Sequence, residues 1–145
     1  MAELVKRLSE LGLSVARVRY SDAIYAGTND VEVHLNNDGT TAEIVATSSG
    51  GVLGFIEFGT GVHHPLGEYA SQVGAPPHGT YGHKLGRLRS WYYRGDPGNG
   101  GEVVTNSKGE AVVHTTGNDP ADAFPAAVKE MQKQLTEIAQ EVFSA

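Results

Sequence analysis

The chain has 145 residues, 39% of them hydrophobic, with 19 glycines and a formal charge of −6, which fits one globular domain rich in turn and loop rather than a long bundle or a disordered chain. It has no cysteine, which excludes disulfides and thiolate metal sites. Its start, Met1-Ala2-Glu3-Leu4-Val5-Lys6-Arg7-Leu8, lacks the apolar run of a signal peptide, and nothing later approaches the ~20 apolar residues of a membrane span. Synthesis in a cytoplasm and no membrane partner are therefore expected.

The charge is uneven. Residues 1–68 carry nine acids and four bases, residues 69–95 four bases (Lys84, Arg87, Arg89, Arg94) and no acid, and residues 96–145 eight acids and three bases. Phosphate neutralisation by Lys and Arg supplies most non-specific nucleic-acid affinity, so a chain this acidic is a poor general binder. The basic central stretch is the place where a phosphate or an acidic partner surface could be met.

Leu4, Val5, Leu8 and Leu11 sit at helical spacing with Gly12 as a C′ residue, which predicts a short helix over 2–11. From Ser14 to Tyr20 the period changes to alternation, Ala16, Val18 and Tyr20 against Val15, Arg17 and Arg19, and predicts a strand with one polar face. Val31, Val33 and Leu35, the turn Asn36-Asn37-Asp38-Gly39, then Ala42, Ile44 and Ala46 predict a hairpin. After Ser48-Ser49-Gly50-Gly51 comes Phe55-Ile56-Glu57-Phe58-Gly59-Thr60-Gly61, short enough for a strand or a turn of helix, with the strand favoured.

Residues 62–90 hold Pro65, Pro76, Pro77 and several glycines with little apolar periodicity, and read as a long Gly/Pro-rich loop of a single domain. Trp91-Tyr92-Tyr93 returns the chain to structure. Beyond Asp96-Pro97-Gly98, a second hairpin is expected over Glu102–Thr105, the turn Asn106-Ser107-Lys108-Gly109, and Ala111–His114. Asp119 or Asp122 caps the last helix, and Pro120 or Pro125 falls in its first turn, where no amide donor is needed. Val128, Met131, Leu135, Ile138 and Val142 then form the stripe by which this helix packs on a sheet or a neighbouring subunit. The fold class expected is α+β: a mainly antiparallel sheet of hairpins, a short N-terminal helix and a long C-terminal amphipathic helix.

Candidate chemistry is sparse. Six histidines, His34, His63, His64, His78, His83 and His114, show no spacing that places two imidazoles on one helical face, so no metal site is assigned. Gly79-Thr80-Tyr81-Gly82-His83-Lys84-Leu85-Gly86 lacks the Gly-Lys-Ser/Thr ending of a phosphate loop. Strand alternation puts Glu57 on the solvated face; the alternative is that it meets a basic residue or backbone amides across a subunit boundary, where an unpaired charge is expensive. Trp91, Tyr92 and Tyr93 read as core and sheet surface rather than as a base-stacking platform.

The Phe55–Gly61 element and the segment His114-Thr115-Thr116-Gly117-Asn118-Asp119-Pro120-Ala121-Asp122-Ala123-Phe124-Pro125-Ala126-Ala127, in this order and followed by one amphipathic helix, resemble the head-tail joining, or tail completion, proteins of long-tailed bacteriophages. Members of that family carry an aromatic-Glu-Phe-Gly-Thr-Gly element and a Pro-Phe-x-x-Pro-Ala helix entrance, to which Phe124, Pro125 and Ala127 correspond; this chain reads Ala123-Phe124-Pro125-Ala126-Ala127 there. The resemblance implies a structural virion protein of the neck, not an enzyme, made in the host bacterial cytoplasm, with no cofactor. It implies a homo-oligomeric ring, a hexamer by the six-fold tail, whose partners are the head connector or adaptor, the tail terminator or tail tube proteins, and viral DNA in the lumen. The candidate subunit or partner interface is Phe55, Glu57, Phe58, Arg87, Arg89 and Trp91. The competing classes are a small metal-dependent hydrolase using His63, His78, His83 and Glu68 or Asp96, and a nucleic-acid-binding module using the basic stretch Arg87–Arg94.

Overall fold

The computed structural model describes residues 1–82 and 87–144. In chain order the elements are α1 (Ala2–Asp22), β1 (Glu32–Asn37), β2 (Ala42–Thr47), α2 (Leu53–Phe58), β3 (Trp91–Tyr93), β4 (Glu102–Thr105), β5 (Ala111–Thr115) and α3 (Ala123–Phe143). This is the α+β class expected, with both sheets antiparallel. The chain forms two compact units, one from residues 1–22, 31–49 and 122 onward, the other from 23–30 and the described residues of 50–121. His83 and Lys84, and with them the second half of the Gly79–Gly86 loop, lie outside the described residues.

In the first unit, α1 is not short and does not give way to a strand at residues 14–20: it runs unbroken for 21 residues, through the segment expected to be β. Its buried residues are Ser9, Gly12, Ala16 and Tyr20, a stripe at steps of 3, 4 and 4 that a helix presents on one side. Alternation and helical period coincide at i and i+4, so Ala16 and Tyr20 fit both readings; Val18, 53% exposed, fits only the helix. Gly12 is no C-terminal stop either. A Cβ there would lie 2.7 Å from Met131 Sδ and 2.8 Å from Ile44 Cδ1, so the glycine admits α3 and β2 close to α1 rather than ending the helix.

The two long helices run antiparallel, as three contacts along them show: Tyr20 meets Phe124 edge to face at 6.2 Å, Gly12 faces Met131, and Arg7 pairs with Glu141 at 2.5 Å. The β1–β2 hairpin packs on α1 with Val33 opposite Ala46 and Leu35 opposite Ile44, and the Arg17 guanidinium donates twice to Val33 O, at 3.1 and 2.9 Å. At its tip Asp38 Oδ1 accepts the amides of Thr40 at 2.9 Å and Thr41 at 2.7 Å. Those amides, with the two threonine hydroxyls, hold the Asp38 carboxyl well below the usual carboxylate range.

Helix α3 begins where expected, with Pro125 in its first turn. Asp122 holds the N-cap position in a left-handed conformation, φ 48°, and its side chain makes no capping hydrogen bond. The apolar stripe divides: Ile138 is buried, Met131 and Val142 are half-buried, and Val128 and Leu135 are exposed. The helix is covered by α1 along a line rotated away from Leu135. Leu135, Thr136, Ala139, Gln140, Phe143 and Ser144 line a shallow open groove on its outer side.

In the second unit the strand order is β3-β5-β4, with Trp91 opposite Thr115, and Glu102 and Tyr92 both opposite His114. Asn106 Oδ1 closes the β4–β5 turn by accepting the amides of Lys108 and Glu110 at 2.9 Å. The segment 23–30 is sewn to the 96–100 turn: Thr28 Oγ1 donates to Asp96 at 2.8 Å, Tyr25 N to Asn99 Oδ1 at 2.8 Å, and Asn99 Nδ2 to Ala23 O at 3.1 Å.

Two measurements check these assignments. Ile138→Asp should lower stability by about 3–5 kcal/mol, because it buries an unpaired charge, whereas Leu135→Asp should cost about 1 kcal/mol or less; thermal melting compares them, and equal losses would mean that Leu135 is covered in solution. The depressed folded pKa of Asp38 stabilises the fold above the ordinary carboxyl value of about 3.9 and is lost as pH falls below it. Asp38→Ala should therefore melt below the parent at neutral pH, with the gap closing in acid; a gap constant down to about pH 2 would refute the role.

Candidate functional site

The Phe55–Gly61 element is a turn of helix, not the strand expected: α2 spans Leu53–Phe58, with Ile56 fully buried and Glu57 only 3% exposed. Glu57 is thus not on a solvated face. In a strand Ile56 and Glu57 would point to opposite sides; on one helical turn both turn inward. A carboxylate so withdrawn from water is tolerated only where other groups satisfy its oxygens.

What holds α2 in place is the other motif. Gly59 ends the helix at φ 82°, and the next residue crosses the loop after β5: Thr60 N donates to Asn118 O at 2.9 Å and Asn118 N to Thr60 O at 3.0 Å, while the Thr60 hydroxyl donates to Asn118 Oδ1. Asn118 Nδ2 reaches Phe55 O at 3.1 Å, and Ala121 N donates to Ile56 O at 2.9 Å. The crossing is so close that side chains are excluded on both sides. A Cβ on Gly61 would stand 2.3 Å from Thr116 O, and one on Gly117 2.2 Å from Thr60 O; both glycines also have positive φ, 84° and 99°.

A third segment completes the site. The last carbonyls of a helix have no partner within it, and here residues of the long loop supply two: Tyr81 OH donates to Gly59 O, and His78 Nε2 lies 3.3 Å from Phe58 O, a contact in which Nε2 carries the proton because a carbonyl only accepts. The rings follow the same path. Tyr81 stacks on Phe55 at 5.9 Å, His78 lies 6.0 Å from Tyr81, and Tyr69 meets Phe58 at 5.8 Å. Burial raises the Tyr81 phenol above its ordinary pKa. His64 Nδ1 sits 3.1 Å from Asp119.

Of the interface residues expected from sequence, the structure brings together Phe55, Glu57 and Phe58 on α2. Arg87 and Arg89 are exposed and Trp91 is half-buried on β3; no hydrogen bond, ion pair or ring contact among the described residues ties these three to α2. Arg94 is paired with Glu110. Among the described residues no three His, Asp or Glu side chains gather as a metal would require, so His63, His78, Glu68 and Asp96 do not converge. Sequence reasoning gave Asn118 and Tyr81 no role and offered His78 only as a metal ligand of the hydrolase alternative. The signal for the first was the pair of Gly-flanked polar residues, Gly59-Thr60-Gly61 and Gly117-Asn118, each marking a backbone that must approach another closely. No protein-family model, curated protein or solved structure matches the chain.

Glycine substitutions test the crossing. Gly117→Ala adds a clash with Thr60 O to a strained φ and should cost about 2–5 kcal/mol. Gly54→Ala, inside α2 with nothing within 4 Å of the added Cβ, should be neutral or stabilise by up to about 1 kcal/mol. Denaturant melts of both decide; a harmless Gly117→Ala would dissolve the crossing.

Proposed function

We propose that this protein is a structural part of a phage neck, joining the head connector to the tail as a homo-oligomeric ring, a hexamer where the tail is six-fold. The observation that carries the reading is that the Phe55–Gly61 element and the first part, residues 114–121, of the His114–Ala127 segment that bears the rest of the resemblance are stapled into one block through Thr60 and Asn118. A ring subunit needs such a block, since a rigid piece transmits position from one neighbour to the next. Its partners in this reading are further copies of itself, the head connector or adaptor, and the tail terminator or tail tube.

Charge agrees with the role. Duplex DNA carries one negative charge per ~1.7 Å of axis, and a wall rich in Lys and Arg would hold it by counterion release. A chain with a formal charge of −6 lets DNA pass.

Native mass spectrometry of the purified protein, alone and with tail-less heads or head-less tails, tests the proposal. The expected result is a species of six chain masses, or a monomer that becomes particle-bound. A monomer at all concentrations that binds neither particle would overturn it, and stoichiometric metal or salt-sensitive retention on DNA would favour the hydrolase or nucleic-acid alternatives.

A further inference from the structure

Residues 62–82 contain no helix or strand, yet they are not a loose loop: Ala70 is 1% exposed, and Tyr69, His78 and Tyr81 all lie on the end of α2. The hydrogen bonds inside the segment are short-range, Ala70 N to Gly67 O at 3.2 Å, Ala75 N to Ala70 O at 2.8 Å and Thr80 N to Pro77 O at 3.2 Å. Its attachments to α2 include the tips of side chains, one phenol, one imidazole and two ring contacts, and His64 adds a side-chain contact to Asp119 at 3.1 Å. The block beneath is joined by backbone pairs at Thr60–Asn118 and Ile56–Ala121. Side-chain tips can let go without disturbing that backbone crossing, because neither Tyr81 nor His78 takes part in it.

We propose that residues 62–82 form a releasable strap, which opens as a unit of its own and uncovers the Phe55 and Phe58 rings while the α2–Asn118 crossing stays closed. Local opening of this sort is cheaper than global unfolding wherever a segment has few buried apolar contacts and no ladder of its own. The strap's outward residues are consistent with a lightly held segment: Val62 and Val73 are 46% and 58% exposed. Use of the uncovered rings by a neighbouring copy rests on the ring reading above; the opening itself does not.

Hydrogen exchange on the full chain tests the strap. Tyr81→Phe removes one hydrogen bond and keeps the stacked ring, and His78→Ala removes the other; each should speed exchange at the Ala75 and Thr80 amides about two- to tenfold, the range expected for one lost hydrogen bond. The Thr60, Asn118 and Ala121 amides should stay within about twofold of the parent. Equal acceleration in both sets would mean a single cooperative block and would overturn the proposal, as would a strap that exchanges no faster in either variant. A concentration series by native mass spectrometry then asks whether Tyr81→Phe forms rings at lower concentration than the parent. If the parent forms no ring and binds neither heads nor tails, the neck reading falls while the exchange comparison still decides the strap.

Discussion

The second unit depends on one close passage of backbone over backbone, where Gly59-Thr60-Gly61 crosses Thr116-Gly117-Asn118. Two strands of chain can pair through both amides only if nothing stands between them, and here a single Cβ at either Gly61 or Gly117 would come within 2.3 Å of a carbonyl oxygen. The passage fixes where α2 ends and aims its carbonyls. Asn118 then extends the join with its side chain, one amide group serving as acceptor for the Thr60 hydroxyl and donor to Phe55 O. A six-residue helix has little stability of its own. This one exists because four of its neighbours complete its hydrogen bonds from outside.

From that join the rest of the site follows. With the end of α2 anchored, Ile56 is driven into the core and Glu57 follows it on the same turn, while Phe55 and Phe58 are left on the side that Tyr81 and Tyr69 cover. The first unit rests on a different device, a helix pair in close contact. Gly12 lets α3 and β2 approach α1 by the space of one methyl group, and Ala16 and Tyr20 continue the buried line from there.

The hairpins were legible in the sequence because their turns are local chemistry: Asp38 and Asn106 bind amides two to four residues on, and no distant part of the chain is needed to decide them. Helix α3 was legible by its period and by a proline in its first turn, though not the side it buries, since α1 covers Ile138 and leaves Leu135 in water. Helix α1 was misread at Gly12 and beyond. A glycine that ends a helix and one that admits a neighbour look alike until the neighbour is known, and the alternation over Ser14–Tyr20 is one that Ala16 and Tyr20 satisfy equally at helical spacing. For α2, seven residues carry no period, and its helical state is set by partners at residues 78, 81, 118 and 121 that only the fold brings near.

The crossing also explains why a short motif of Phe, Gly and Thr can mark a protein without naming a reaction. Gly59, Gly61 and Gly117 are required by closeness, Thr60 and Asn118 by the hydrogen bonds they exchange, and each is consumed in holding the chain to itself. None presents a free nucleophile, acid or base to a substrate. What the motif leaves over is the pair of rings, Phe55 and Phe58, under a strap of rings, features suited to a surface by shape and apolar contact. A motif spent on rigidity, with its remaining side chains suited to contact, supports the proposed role as a part built into an assembly.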